Sequence, residues 1–183
     1  IYNNPFSILS ETVPAIAMQS FLIVMIALVV LGTLVDIIHK KNVKYFFENA
    51  KKAKKSATKE LGAGERASVI AKTVVYDIGT TSELGAGKRR VAHLLGMYGT
   101  ILFWIASAVM IFCYSSSTSS TPSAWPVIWH VGAIMTVLGG CWFWFFLRVD
   151  VYSEAQPWYR IIKADLFVLA LIATSLFGLI WSY

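Results

Sequence analysis

The chain has 183 residues, of which 57% are hydrophobic and only 14% charged. A soluble domain usually carries about a quarter charged residues, so this composition excludes an ordinary water-soluble globule. The net charge of +6, from 16 Lys and Arg against 10 Asp and Glu, comes with no nucleic-acid recognition motif; in so apolar a chain it is first a topology signal.

Residues 1–12 hold no Lys or Arg and are expected outside the membrane. No basic stretch with a small-residue cleavage site precedes the first apolar run, so no intact signal peptide is expected; the start at Ile1 and the end at Tyr183 fit a processed chain or a piece of a longer one. Four apolar runs follow, at 13–38, 92–114, 125–149 and 164–183. A hydrocarbon core of about 30 Å needs roughly 20 apolar residues per helical crossing, and the last run only just reaches that. Backbone groups must be satisfied within the segment in lipid, so each run is expected to be helical. The fold class is thus an all-α integral membrane protein with four transmembrane helices.

Between the first two runs, 39–91 forms a basic loop holding thirteen of the sixteen Lys and Arg. The other three, Arg148, Arg160 and Lys163, lie at or in the 150–163 connection, while the 115–124 connection has none. All the positive charge therefore falls on one side of a four-span arrangement. The positive-inside rule puts both basic loops in the cytoplasm and both termini outside an inner, cytoplasmic membrane. Within the large loop, 44–61 reads as a basic helix with Tyr45, Phe46 and Phe47 beside a KKAKK run, and 67–78 as a second amphipathic stretch. Lys51, Lys52, Lys54 and Lys55 fall within one and a half turns, and such repulsion calls for an anionic counterpart, either lipid headgroups or an acidic partner. ELGAG occurs twice, at 60–64 and 83–87; neither copy follows a strand or ends in GK[ST], so both read as glycine helix stops rather than phosphate loops.

Cys113 and Cys141 sit in separate apolar runs, form no CxxC pair and supply no thiolate set for an iron–sulfur cluster. Histidine is scarcer still, with only His39, His93 and His130. A neutral imidazole is a usual axial ligand of b haem, and ionisable groups in or beside spans tend to be functional. His39 closes the first span and His93 opens the second, so the two are level at the inner face and placed to clamp one haem. His130 lies five residues past Trp125, about 7–8 Å below the outer face and roughly 20 Å from the other two along the normal; it cannot share their iron, and its plainer role is a hydrogen bond to a neighbouring helix. Gly96, Met97, Thr100, Trp104, Ser107 and Ile111 extend the His93 face at helical spacing, as an approach for a flat macrocycle or for another helix. Lys88, Arg89 and Arg90 are placed to meet haem propionates, as are Arg148, Arg160 and Lys163, which suit lipid phosphates equally. Asp36 and Asp165 flank inner span ends, as proton relays or, by the simpler account, snorkelling to water. Gly132, Thr136 and Gly140 follow a small-xxx-small pattern that helix packing explains.

Three passages, KRRVAHLLGMYGTILFWIASAVMIF, WPVIWHVGAIMTVLGGCWFWFFLRVDV and PWYRIIKADLFVLALIATSLFGLIWSY, together resemble a known kind of membrane subunit. Residues 88–183 resemble the membrane anchors associated with adenylylsulfate reductase. They are more distantly similar to the cytochrome b-like membrane part of quinone-interacting oxidoreductase complexes and to the nitrate reductase gamma-subunit family. The resemblance implies a respiratory-chain subunit exchanging electrons between membrane quinone and a cytoplasmic flavin or iron–sulfur reductase, often through b haem, with His93 and His130 carried over as ligands. The larger relatives have more spans, more histidines and often a fused ferredoxin-like domain, none of which this chain has. A second expectation stands beside it, a cofactor-free structural anchor or accessory subunit of a larger membrane enzyme complex.

Overall fold

The computed structural model describes residues 2–56, 62–85, 87–116 and 120–183. Among these residues every regular element is helical. Three helices are long and apolar enough to cross a membrane. The chain divides into two compact units, residues 16–73 and residues 1–15 with 74–183.

The first unit is built on α2 (Ala15–His39; α1, Pro5–Leu9, precedes it). Its 25 residues extend about 37 Å at 1.5 Å per residue, more than a bilayer core requires. Its middle, residues 21–34, is apolar apart from Thr33, which returns its hydroxyl to the Val29 carbonyl at 2.8 Å and so keeps that group satisfied within the helix. Asp36 pairs with Lys40 at 2.8 Å, both exposed, which fits the snorkelling expectation. Two residues later α3 (Asn42–Ser56) begins, and α4 (Ala63–Lys72) follows, running into a π turn at Thr73–Ile78. Residues 57–61, with the end of the expected first basic helix and the start of the first ELGAG copy, lie outside the described residues. The glycine-stop expectation fails for that copy. Gly62 is the N-cap of α4, extended at φ −63°, ψ 161°, and the Glu65 carboxylate accepts its N–H at 3.2 Å. Glycine serves a helix start as readily as an end when an acidic residue three positions on supplies the cap. In the second copy Gly85 does end a short 3₁₀ turn, Ser82–Leu84, at φ +69°.

The second unit is a helical pair with a buttress. α5 (Lys88–Cys113) and α6 (Ala124–Trp142) run antiparallel, α7 (Val149–Tyr152) follows, and α8 (Asp165–Trp181) packs on α6. Glycines set how closely the pair approaches. A Cβ on Gly132 would stand 2.5 Å from the Phe103 nitrogen, one on Gly99 2.6 Å from the Thr136 nitrogen, and one on Gly139 2.5 Å from the Gly96 nitrogen. The two backbones touch, as small-residue crossings in membranes allow. Thr100 and Thr136 meet across the same seam at 3.4 Å. Phe103, Ala106 and Met110 of α5 enclose Trp129 and Ala133 of α6 as the core.

Two sequence expectations change here. The third run is one 29-residue apolar stretch, Ala124–Tyr152, but it is not a uniform helix: it widens to a π turn at Phe143–Leu147, and Arg148 breaks it with ψ 149°. The fourth run forms only the 17 residues of α8, about 26 Å long and short of a full crossing. Its start is held by a buried interaction of Asp165 described below. Residues 1–12 are also more than a free outer segment. Asn4 donates to the Tyr114 carbonyl at 2.9 Å and the Thr121 hydroxyl at 3.0 Å, and its carboxamide oxygen caps α1 at the Phe6 N–H. Phe6 sets its ring edgewise against Trp129 and Trp181, each at 6.0 Å.

Candidate functional site

His130 is 4% exposed, and both ring nitrogens are engaged. Nδ1 lies 2.7 Å from the Pro126 carbonyl of its own first turn. Nε2 lies 3.1 Å from the Ser182 hydroxyl just past α8, and Ser182 in turn donates to the Leu179 carbonyl. An imidazole with a carbonyl at Nδ1 carries its proton there, so Nε2 faces Ser182 as an acceptor, and the one Ser182 hydroxyl proton is shared between Nε2 and the Leu179 carbonyl. In this arrangement the histidine joins α8 to α6. Beside it Trp129, almost fully buried, donates its indole N–H to Ser107 at 2.9 Å, and Ser107 passes its own proton to the Phe103 carbonyl.

His93 occupies the opposite end of the pair, in the second turn of α5, and is exposed. Most buried positions of α5, Ala92, Gly99, Phe103, Ala106 and Met110, lie one residue off its face, where α6 packs with Gly139 against Gly96 and the Ala92 carbonyl. Along the His93 face itself Thr100 meets Thr136, Ser107 meets Trp129 and Ile111 is buried, while a Cβ on Gly96 would meet nothing within 4 Å. By the antiparallel register that sets Gly99 against Thr136 and Phe103 against Gly132, His93 and His130 stand about 18 Å apart along the axis. One iron between them does not fit. His39 ends α2 in the other unit, exposed, and neither unit contains both His39 and His93.

Three of the six basic residues expected to meet propionates hold the protein instead, while Lys88 is exposed. Arg90 donates Nε to the Thr80 carbonyl at 2.8 Å, and Arg89 lies over the Tyr152 ring at 4.7 Å. Arg148 is 3% exposed, so it meets neither propionate nor lipid phosphate. Its guanidinium stacks 3.9 Å over the Trp144 ring, pairs with the Asp165 carboxylate, and donates to the Trp158 and Arg160 carbonyls at 2.9 and 2.6 Å. Asp165 also accepts the Ile162 N–H at 3.0 Å; it is buried and does not snorkel. A planar five-donor fork suits such a multiple connection, and lysine does not. Arg148 follows directly on the π turn Phe143–Leu147, its N–H donating to the Phe143 carbonyl at 3.0 Å, and Trp144 of that turn is buried beneath its guanidinium. Sequence reasoning missed this knot. Its signal was an arginine closing one apolar run and an aspartate opening the next. Arg160 and Lys163 are exposed.

A cavity of about 160 Å³ opens between α5 and α8, lined among others by Thr100, Phe103, Trp104, Phe167, Thr174 and Ser175. It is smaller than the roughly 300–1,000 Å³ of ligand pockets, and no histidine lines it. Within the second unit, then, His93 and His130 do not face one common iron. No family model, curated protein or solved structure matches this chain.

Proposed function

We propose that this chain is a membrane anchor or accessory subunit of a larger enzyme complex, with no haem held by its own residues. The observation that carries this reading is that α5 meets α6 along two adjacent stripes, the glycine seam and, on the His93 face beyond Gly96, Thr100 against Thr136 and Ser107 against Trp129. The engagement of both His130 nitrogens supports it. In the proposed topology all four apolar helices cross, with both termini outside and the basic segments in the cytoplasm of the inner membrane. The charge asymmetry supports this, and α8 falls about 4 Å short, a mismatch that bilayer thinning absorbs at fractions of a kcal/mol per Å. The resemblance to adenylylsulfate reductase-associated anchors supports a soluble flavin or iron–sulfur reductase as the cytoplasmic partner.

One observation favours a second reading, electron exchange with membrane quinone through a b haem. His93 is exposed beside Lys88, Arg89 and Arg90 and makes no hydrogen bond among the described residues. It would complete a haem site with His39, the second ligand expected at the inner face, or with a ligand from another subunit. Anchoring itself is tested by fractionation: in cells lacking this chain, a reductase that sediments with membranes in its presence is expected in the soluble fraction. Identical soluble and membrane proteomes with and without the chain would contradict anchoring.

A further inference from the structure

α3 sorts its side chains into two faces. At 100° per residue, Val43, Phe46, Phe47, Ala50 and Ala53 fall on one side and Lys44, Lys51, Lys52 and Lys55 on the other, while Lys54 falls on the apolar side between Val43 and Phe47, where its long stem lets the ammonium snorkel to the headgroups. Glu48 lies among the lysines and pairs loosely with Lys44 at 3.8 Å. The apolar side is uncovered: Phe46 and Phe47, edge to face at 5.6 Å, are 68% and 58% exposed. The helix is also tied to a fixed depth. Only Lys40 and Lys41 separate it from α2, and Lys41 takes the left-handed conformation at φ 53°. A non-glycine residue there ends one helix and redirects the chain before Tyr45 begins the next with its N–H on the Lys41 carbonyl at 3.1 Å.

We propose that α3 is an in-plane interfacial helix that binds an anionic lipid surface. Phe46 and Phe47 enter the acyl boundary while Lys44, Lys51, Lys52 and Lys55 meet lipid phosphates. An acidic soluble partner would satisfy the lysines but leave the phenylalanines in water. An anionic membrane answers both faces in one plane, at the depth where α2 delivers the chain. The inference rests on α2 crossing the bilayer, and goes beyond anchoring by giving the loop a ligand of its own.

Nitroxide labels on single cysteines at positions 43–55, in the full chain with Cys113→Ser and Cys141→Ala, test it. In vesicles containing about 30% phosphatidylglycerol, enough for a strongly negative surface, relaxation by oxygen should exceed relaxation by a water-soluble nickel chelate several-fold at Phe46, Phe47 and Ala50. The order should reverse at Lys51 and Lys55. The contrast should shrink in wholly zwitterionic vesicles and with all four lysines replaced by glutamine. Uniform nickel accessibility along α3 in the anionic vesicles overturns the proposal and leaves the face to a soluble acidic partner. A contrast equal in both vesicle types overturns the anionic requirement. Labels at Leu28 and Val29, expected to respond to oxygen alone, report separately whether α2 crosses.

Discussion

Gly139→Ala should destabilise the α5–α6 pair by about 1–3 kcal/mol, the usual range for overpacking a fitted interior, whereas Gly96→Ala, in the same contact, should be neutral or mildly stabilising. The two glycines touch, but their missing Cβ atoms point differently. One on Gly139 would stand 2.5 Å from the Gly96 nitrogen and 2.8 Å from the Ala92 carbonyl, both backbone atoms that no side-chain rotation can move; one on Gly96 meets nothing within 4 Å. Helix propensity favours alanine by about 1 kcal/mol at both positions, so steric contact decides the sign. Gly99→Ala and Gly132→Ala should resemble Gly139→Ala, and Gly32→Ala, in open space on α2, should resemble Gly96→Ala. Gly140→Ala should cost less, because its neighbour is the Ile172 side chain, which can rotate. Unfolding in mixed micelles followed by circular dichroism ranks the set. Equal effects at Gly139 and Gly96 would contradict the seam.

The largest single loss is expected from Arg148→Ala, about 3–5 kcal/mol, because it strands a buried carboxylate and removes the donors of two carbonyls as well as the stack on Trp144. Asp165→Ala should lose less. It leaves the guanidinium with two carbonyl acceptors and its ring, although the Ile162 N–H loses its acceptor. Arg148→Lys should not restore stability, since one ammonium cannot span the four partners. Replacing the pair together, Arg148→Met with Asp165→Leu, should fall between wild type and Arg148→Ala, because no charge is then left buried alone. The 153–164 segment should become protease-sensitive in step with these losses. Equal stability of Arg148→Ala and wild type would show that the knot holds nothing.

The apolar runs were legible because a membrane span is a bulk property: about twenty apolar residues announce themselves whatever their partners. The helix-packing pattern at Gly132 and Thr136 was legible for a related reason, since only small residues let backbones touch. What failed to show depended on partners distant in sequence. His130 looked like a ligand because nothing in its neighbourhood points to Ser182, 52 residues on. Arg148 looked like a surface cation because arginine at a span end usually is one; its partner Asp165 opens the next helix. The N-terminal segment read as a plain outer strand of chain because a single Asn4 side chain, reaching across to Tyr114 and Thr121, leaves no periodic trace. Gly62 misled for the opposite reason, as glycine marks both ends of helices and the deciding residue was Glu65.

The account depends most on α5, α6 and α8 using their contact residues and both His130 nitrogens on one another rather than on a haem. The direct measurement is a dithionite-reduced minus air-oxidised spectrum of the chain purified alone, with haem content by pyridine haemochromogen. The account predicts no b-type α or Soret difference band and haem far below one per chain. A stoichiometric band that disappears in His93→Ala or His130→Ala, while the helices remain inserted, would contradict it.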